Sequence, residues 1–328
     1  MSLSVERDLD ELRVGLERWL GRSVGEVSRP APGWSCETLI VEGDLVVRLP
    51  PVGDGIFPVY DLAQQAAVQS AVAAAGVPVA EPVRYEPDPS FLGAPFLTMQ
   101  FVAGAIPAEF TAGDAWFAGL ADDAERAEAW HAFHDALSRI HAVPLDALAP
   151  LGLRAGLDAE LVWWTDYVGW ATDGSPPDAL ADALEWCRAH HPADEVPASL
   201  LWGDVRYGNV IFHPDSRRAL AVLDWDMVSI GPAEMDVAWF VALEGVQQEL
   251  TGMTVPGFGD RSATVAAIEA SLGRALVDLD WFEVFALVRA SAVSTRIALL
   301  FQRAGQRSMF KVGEDPTLAA ALRRIQST

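Results

Sequence analysis

Leu201-Trp202-Gly203-Asp204-Val205-Arg206-Tyr207-Gly208-Asn209 begins the stretch that decides the fold. It continues through Leu223-Asp224-Trp225-Asp226 to Gly231-Pro232-Ala233-Glu234-Met235-Asp236-Val237-Ala238. Asp204 and Asn209 are five residues apart, and Asp224 follows fifteen residues later. Between them, residues 210–212 and 220–225 read as short strands around the turn Pro214-Asp215-Ser216. A tight hairpin would return Asp224 to the side of Asn209. Phosphoryl transfer needs such a set: a carboxylate to orient or deprotonate an acceptor hydroxyl, and hard oxygen ligands to hold Mg²⁺ against nucleotide phosphates. Asn209 is the single Asn of the chain, and it falls where a neutral metal ligand is wanted. Loop Asp and Asn more commonly form turns and caps. The hairpin and the D-W-D triplet behind it are what lift a lone D-x4-N to a phosphotransferase reading.

The surrounding composition narrows the alternatives. The 328 residues carry 23 basic and 46 acidic side chains, a net charge of −23. That balance argues against a nucleic-acid binder, which needs a basic footprint. With 51% hydrophobic residues a large core can form, so global disorder is excluded. Of the basic residues 22 are Arg and one is Lys311, so no Lys serves the first half of the chain. Cys36 and Cys187 make neither a disulfide framework nor a zinc site, and a reducing cytoplasm is expected. The charged N-terminal stretch shows no signal-peptide pattern. Arg289 and Arg296 interrupt the apolar run 284–301, so no membrane span is expected.

Periodicity divides the chain. Val5, Leu9, Leu12, Leu16 and Leu20 predict a helix over 4–20. Residues 37–42 and 45–49 read as a hairpin about Gly43-Asp44, closed by Pro50-Pro51. A helix over 60–75 stops at Gly76-Val77-Pro78, and strands follow at 83–85 and 96–101. From Asp114 the pattern is mainly helical, with helices over 125–141, 158–170, 177–190, 263–276 and 281–303. The fold class is α+β: a small α/β N-lobe over 1–102 and a larger, mainly helical C-lobe over 103–328 holding one β-hairpin.

These residues resemble the aminoglycoside phosphotransferase-like kinases, also called the phosphotransferase enzyme family, small-molecule relatives of the protein kinases. The resemblance runs from Leu16 to about Arg303 and is nearest the branch related to the kinase-like domain of acyl-CoA dehydrogenase proteins. Arg48-Leu49-Pro50-Pro51 matches that branch's R-x-P-P, and Gly76-Val77-Pro78-Val79, Gly93-Ala94-Pro95-Phe96 and Gly104 also match. The resemblance implies a bilobal protein-kinase-like fold and an ATP- and Mg²⁺-dependent transfer to a hydroxyl of a small molecule. It makes Asp204 the catalytic carboxylate and Asn209 and Asp224 the Mg²⁺ ligands. Arg48 would take the place of the lysine that contacts the α/β-phosphates, and Gly33, Trp34 and Ser35 would lie in the phosphate loop. Gln100 and Val102 would offer backbone groups to adenine, and Asp236 would brace the catalytic loop.

Three positions depart from the family pattern: Trp202 stands for the usual His, Arg48 for Lys and Gln65 for Glu. Arg keeps the charge and can grip phosphates bidentately, whereas Gln cannot form an ion pair. They motivate the alternative of a catalytically weak or inactive, pseudokinase-like nucleotide-binding protein. A protein kinase is disfavoured, because no activation segment ending in A-P-E is present.

Trp163, Trp164 and Trp170 lie near Asp158, Glu160, Asp166 and Asp173. Aromatic faces beside carboxylates would favour a cationic or amphipathic acceptor. Helix packing with a solvated acidic face is the simpler reading of the same residues. Cys36 reads as a small packing residue, His131 and His134 as a helix face without metal partners, and His141 as a helix-end cation.

Overall fold

The computed structural model describes residues 6–30, 35–108, 111, 113–192 and 196–327. Helix α1 (Leu9–Leu20) starts at Leu9 rather than in the preceding turn, because the Asp8 carboxylate caps the amides of Asp10 and Glu11. Strands β1 (Val27–Ser28), β2 (Glu37–Val41) and β3 (Leu45–Leu49) follow. Helix α2 (Leu62–Ala74), capped by Asp61, then leads to β4 (Arg84–Glu86) and β5 (Phe96–Gln100). The five strands form one antiparallel sheet in the order β1-β2-β3-β5-β4.

The two-residue period of β3 decides what the sheet presents on each side. Val47 and Leu49 join the cluster of Leu12, Leu16 and Phe96 beneath α1. Val46 and Arg48 point to the opposite face, where Val46 packs in a second cluster with Leu97, Met99 and Ile211. A buried arginine thus stands on the face that meets the large lobe.

The large lobe contains α3 (Ala115–Gly119), α4 (Asp123–His141), α5 (Leu157–Ala171) and α6 (Asp178–Ala189). Then come β6 (Ala198–Leu201), β7 (Val210–Phe212), β8 (Ala219–Val222) and β9 (Ser229–Pro232). It closes with α7 (Glu234–Thr251), α8 (Arg261–Leu272), α9 (Leu279–Arg303) and α10 (Pro316–Ser327). The hairpin β7–β8 is present as expected, but its second strand ends at Val222 and not at residue 225. Leu223 donates its amide to the Asn209 carbonyl at 2.8 Å, and Asp224 turns to φ 58°. The pairing of β6 with β9 was not anticipated, nor were α3, α10 and most of α7. The helix expected to reach residue 276 stops at Leu272.

Helix α9 is long and apolar enough to cross a membrane, yet 78% of its apolar window is buried inside the fold. Its neighbours are α5, α6, α7 and α10, which makes it the central core helix.

Loop contacts help to join the lobes. The segment after β5 forms a bridge in which Ala105 and Phe212 exchange hydrogen bonds of 2.8 Å. Gly104 permits this approach, since a Cβ there would stand 2.4 Å from the Ile211 side chain. The loop after β3 also enters the large lobe, where Ile56 and Phe57 join the main core. Tyr167 donates its hydroxyl to the Ile56 carbonyl at 2.8 Å, and Arg296 donates Nε to the Gly55 carbonyl at 3.0 Å.

Candidate active site

The loop carrying Asp204 is built from its flanks inward. Leu201 pairs with Ser229, and the chain then leaves β6 at Trp202. Asp236, 1% exposed on α7, accepts the amides of Trp202 and Gly203 at 2.9 Å each. His141, the last residue of α4, completes this anchor with Nε2 3.1 Å from the same carboxylate, so it is a buried partner of Asp236. Gly203 sits at φ +92°, and a Cβ there would lie 2.5 Å from the Met227 carbonyl. Only glycine fits that conformation at that distance. Trp202 is 1% exposed, and its indole Nε1 reaches the carbonyls of Leu223 and Asp224 at 2.9 and 3.0 Å. The indole therefore supplies a donor to the turn holding Asp224 as well as packing volume.

Asp204, Asn209 and Asp224 converge. Asn209 donates Nδ2 to the Asp204 carboxylate at 2.7 Å and to the Asp204 carbonyl at 3.0 Å. Arg206 Nε reaches the same carboxylate oxygen at 2.9 Å, and Trp239 Nε1 reaches the other at 3.3 Å. With its amide nitrogen committed, Asn209 has its side-chain oxygen left as an acceptor.

Arg48 is the hub opposite. Its guanidinium lies 3.0 Å from Asp226, 3.9 Å from Asp224, 3.3 Å from Ser35 Oγ and 3.4 Å from Gln65 Oε1. Gln65 also donates Nε2 to Asp226. Gln65 thus meets Arg48 without forming an ion pair, and Asp226 supplies the pairing charge. Sequence reasoning singled out Asp224 and left Asp226 without a role. The signal was the second Asp of D-W-D, but nothing local says which of the two faces β3. Burial would raise the Asp226 carboxyl, yet Arg48, Ser35 and Gln65 hold it below the usual carboxylate range. Asp224 goes the other way: burial first, and Asp226 second, push it up to about 7.

An apolar cluster joins the sheet to the β7–β8 hairpin. Cys36, Met99, Ile211 and Ala221 are buried in it, with Val46 and Val102 packed against them. Burial pushes the Cys36 thiol up to about 12, which suits a packing residue and not a nucleophile. At the rim, the Gln100 amide is spent on the Ala80 carbonyl at 3.2 Å and the Phe101 amide on Asp44 at 2.7 Å. Among the described residues the Val102 amide has no such partner. Gly33 and Trp34 lie outside the described residues, and Ser35 is beside Arg48.

The tryptophan faces offered to a cationic acceptor are covered by the chain's own arginines. Arg154 lies 4.4 Å over Trp163, Arg289 5.1 Å over Trp164 and Arg296 4.2 Å over Trp170. Glu160 is 1% exposed and taken by Arg154 at 2.5 Å and by Trp164 Nε1 at 3.2 Å. His134 is packed, not ligating: burial lowers it to about 4, and Nδ1 lies 2.8 Å from the Trp130 carbonyl.

This arrangement has counterparts among known proteins. Acyl-CoA dehydrogenase family member 11 of Homo sapiens is 31% identical over 199 residues, 60% of this chain and 24% of that protein. The chain thus spans about a quarter of the length of the curated relatives it matches. A candidate aminoglycoside phosphotransferase from Ralstonia eutropha JMP134 superposes with TM-score 0.69 at 21% identity, covering 95% of this chain and 98% of that one. Aminoglycoside 2'-phosphotransferase-IIIa, solved as its GDP complex, superposes with TM-score 0.61 at 16% identity over 98% of both chains. These structures share the bilobal kinase-like fold. The model of the phosphotransferase enzyme family matches residues 26–283, from β1 through the Asp204 loop and into α9. With four-fifths of its length under that match, the chain belongs to the phosphotransferase enzyme family.

Proposed function

We propose that the protein is an ATP- and Mg²⁺-dependent kinase of a small hydroxylated molecule. The observation that carries this reading is the convergence of Asp204, Asn209 and Asp224 beside the Arg48 guanidinium. Asp204 orients the acceptor hydroxyl and takes its proton. The acceptor oxygen bonds to the γ-phosphorus as the bond to the β–γ bridging oxygen breaks, and ADP leaves with that electron pair. Arg48 would grip phosphate oxygens, and the apolar residues Val46, Met99 and Ile211 would flank an adenine ring.

The donor set fits Mg²⁺. Asn209 keeps a neutral oxygen, and Asp224 is a half-buried carboxylate whose nearest cation, Arg48, stands 3.9 Å away. Among the described residues no cluster of three or more His, Cys, Asp or Glu forms a cage. Mg²⁺ is commonly held by one or two protein oxygens together with phosphates and water. When bound, it would neutralise charge on the transferring phosphoryl group. A cytoplasmic location belongs to the same reading and suits two buried free thiols.

Thermal unfolding with ATP, with and without Mg²⁺, tests the nucleotide site. At about 100 times Kd the ligand adds about 2.7 kcal/mol, and Asp224→Ala removes the Mg²⁺-dependent part. ADP formation with hydroxylated acceptors tests the transfer, and Asp204→Asn lowers kcat by about 10²- to 10⁴-fold. No stabilisation by any nucleotide would sink the reading. A binding-only protein is the second reading, favoured by Gln65 and by Arg48 already being paired with Asp226. It predicts nucleotide stabilisation without ADP formation across the acceptor panel.

A further inference from the structure

Arg289 on α9 is 4% exposed, and no hydrogen bond or ion pair holds it among the described residues; its Nε is a buried donor without an acceptor. The guanidinium is sandwiched, with Cζ 5.1 Å from the centre of Trp164 and 4.9 Å from that of Trp239. Trp239 in turn donates to Asp204 at 3.3 Å, so one indole ring separates Arg289 from the carboxylate that faces the acceptor. The nearby acids are already committed. Glu160 serves Arg154 and Trp164, Asp236 serves the Trp202 and Gly203 amides and His141, and Asp204 serves Asn209, Arg206 and Trp239. Burial lowers Arg289 to about 10, which leaves it charged at neutral pH.

A buried charge without a hydrogen-bonded partner is costly to keep, and such a group calls for a counterion. The planar fork of an arginine matches a carboxylate or phosphate bidentately. We propose that Arg289, held between Trp164 and Trp239, receives the oxyanion of the acceptor, which is therefore a hydroxylated carboxylate or phosphate monoester. The inference rests on the kinase reading above and names its substrate class. Two further arginines stand nearby, Arg154 on Glu160 and Arg206 on Asp204.

The test compares matched acceptors on the wild-type protein. Hydroxycarboxylic acids are set against their methyl esters and against amino alcohols of equal length, with hydroxyalkyl phosphates as the second oxyanion source. Expected is a kcat/KM at least tenfold higher for one of the two oxyanion classes than for its uncharged counterpart, and the preferred class identifies the source. Equal use of acid and ester, or preference for the amino alcohol, overturns the inference. Arg289→Gln should collapse the acid-to-ester ratio towards one through KM, with Mg²⁺·ATP stabilisation retained. An equal rise in KM for acid and ester would instead assign Arg289 a merely structural role. Should Arg289→Gln not fold, Arg289→Lys keeps the charge without the fork and should lower the ratio in part. A readout without turnover separates this inference from the kinase reading. With ADP present, millimolar acetate or inorganic phosphate should stabilise wild type against heat and not the Arg289 variant. If neither anion stabilises wild type the oxyanion site is wrong, whatever ATP does; if ATP fails to bind while an anion does, the kinase reading fails alone.

Discussion

The indole Nε1 of Trp202 stands 3.0 Å from the carbonyl oxygen of Asp224, so the residue two before Asp204 fastens the turn on which Asp224 sits. The same nitrogen reaches the Leu223 carbonyl at 2.9 Å. Trp202→Phe keeps most of the ring volume and removes the donor. The two part-buried carbonyls then lack this partner, at a cost of about 1–3 kcal/mol. Chemical denaturation should read that loss, and titration should read weaker Mg²⁺·ATP binding because Asp224 is no longer held. Unchanged stability would show the two carbonyls satisfied without the indole.

The Arg48–Asp226 pair predicts an asymmetry. Both side chains are buried, at 10% and 4% exposure. Removing one partner strands the other, so Asp226→Ala should cost about 3–5 kcal/mol. The double variant Arg48→Met with Asp226→Leu should recover most of it, since a buried pair and apolar residues of similar volume are nearly equivalent in stability. Urea unfolding of the two single variants and the double variant measures the cycle. Additive losses would remove the pair from the account.

Metal binding at Asp224 should depend on pH. Burial and Asp226 set this carboxyl at about 7, so near neutrality an incoming cation displaces a proton. The Mg²⁺-dependent part of ATP affinity should therefore rise with pH, by up to about tenfold per unit below 7, and level off above about 8. Asp224→Asn should abolish the dependence. Calorimetric titration at several pH values is the check, and a flat wild-type profile would contradict it.

Glu244 gives a stability prediction with the opposite slope. Burial raises it to about 7, against a hydrogen bond from the Thr111 hydroxyl at 2.9 Å. The unfolded chain titrates near the ordinary value of 4.5. As pH rises between these values the unfolded state releases its proton and the folded state keeps it, so stability falls. The full effect is on the order of 3 kcal/mol. Glu244→Gln keeps an acceptor for Thr111 and loses the charge. It should match wild type near pH 4 and be the more stable above about pH 7, as denaturation across that range would show.

Elements with a local signature were legible. Strand β3 lies between a Gly43 turn and Pro50-Pro51, and its bounds were read as observed. Residues 210–212 were read as observed too, and the long helices agreed within about two residues at most ends. What escaped was non-local. Strands β6 and β9 are four residues each and pair across a separation of some thirty, so neither carries a pattern of its own. Among the site residues, Asp204, Asn209 and Asp224 were legible from spacing. Asp226 was not, because its meaning lies in Arg48, 178 positions earlier. Arg289 was read as a charge breaking an apolar run. Its neighbours Trp164 and Trp239 lie on two other helices, and only the fold brings them together.

The loop after β3 has a consequence for modularity. Ile56 and Phe57 are planted in the core of the large lobe, and Gly55 and Ile56 are gripped there by Arg296 and Tyr167. The small lobe is therefore no detachable cassette. Excised, it would carry two bare apolar anchors into water, and the remainder would be left with a vacant socket beside α5 and α9. A recombination breakpoint after β5 would damage both fragments, so the two lobes form one folding unit.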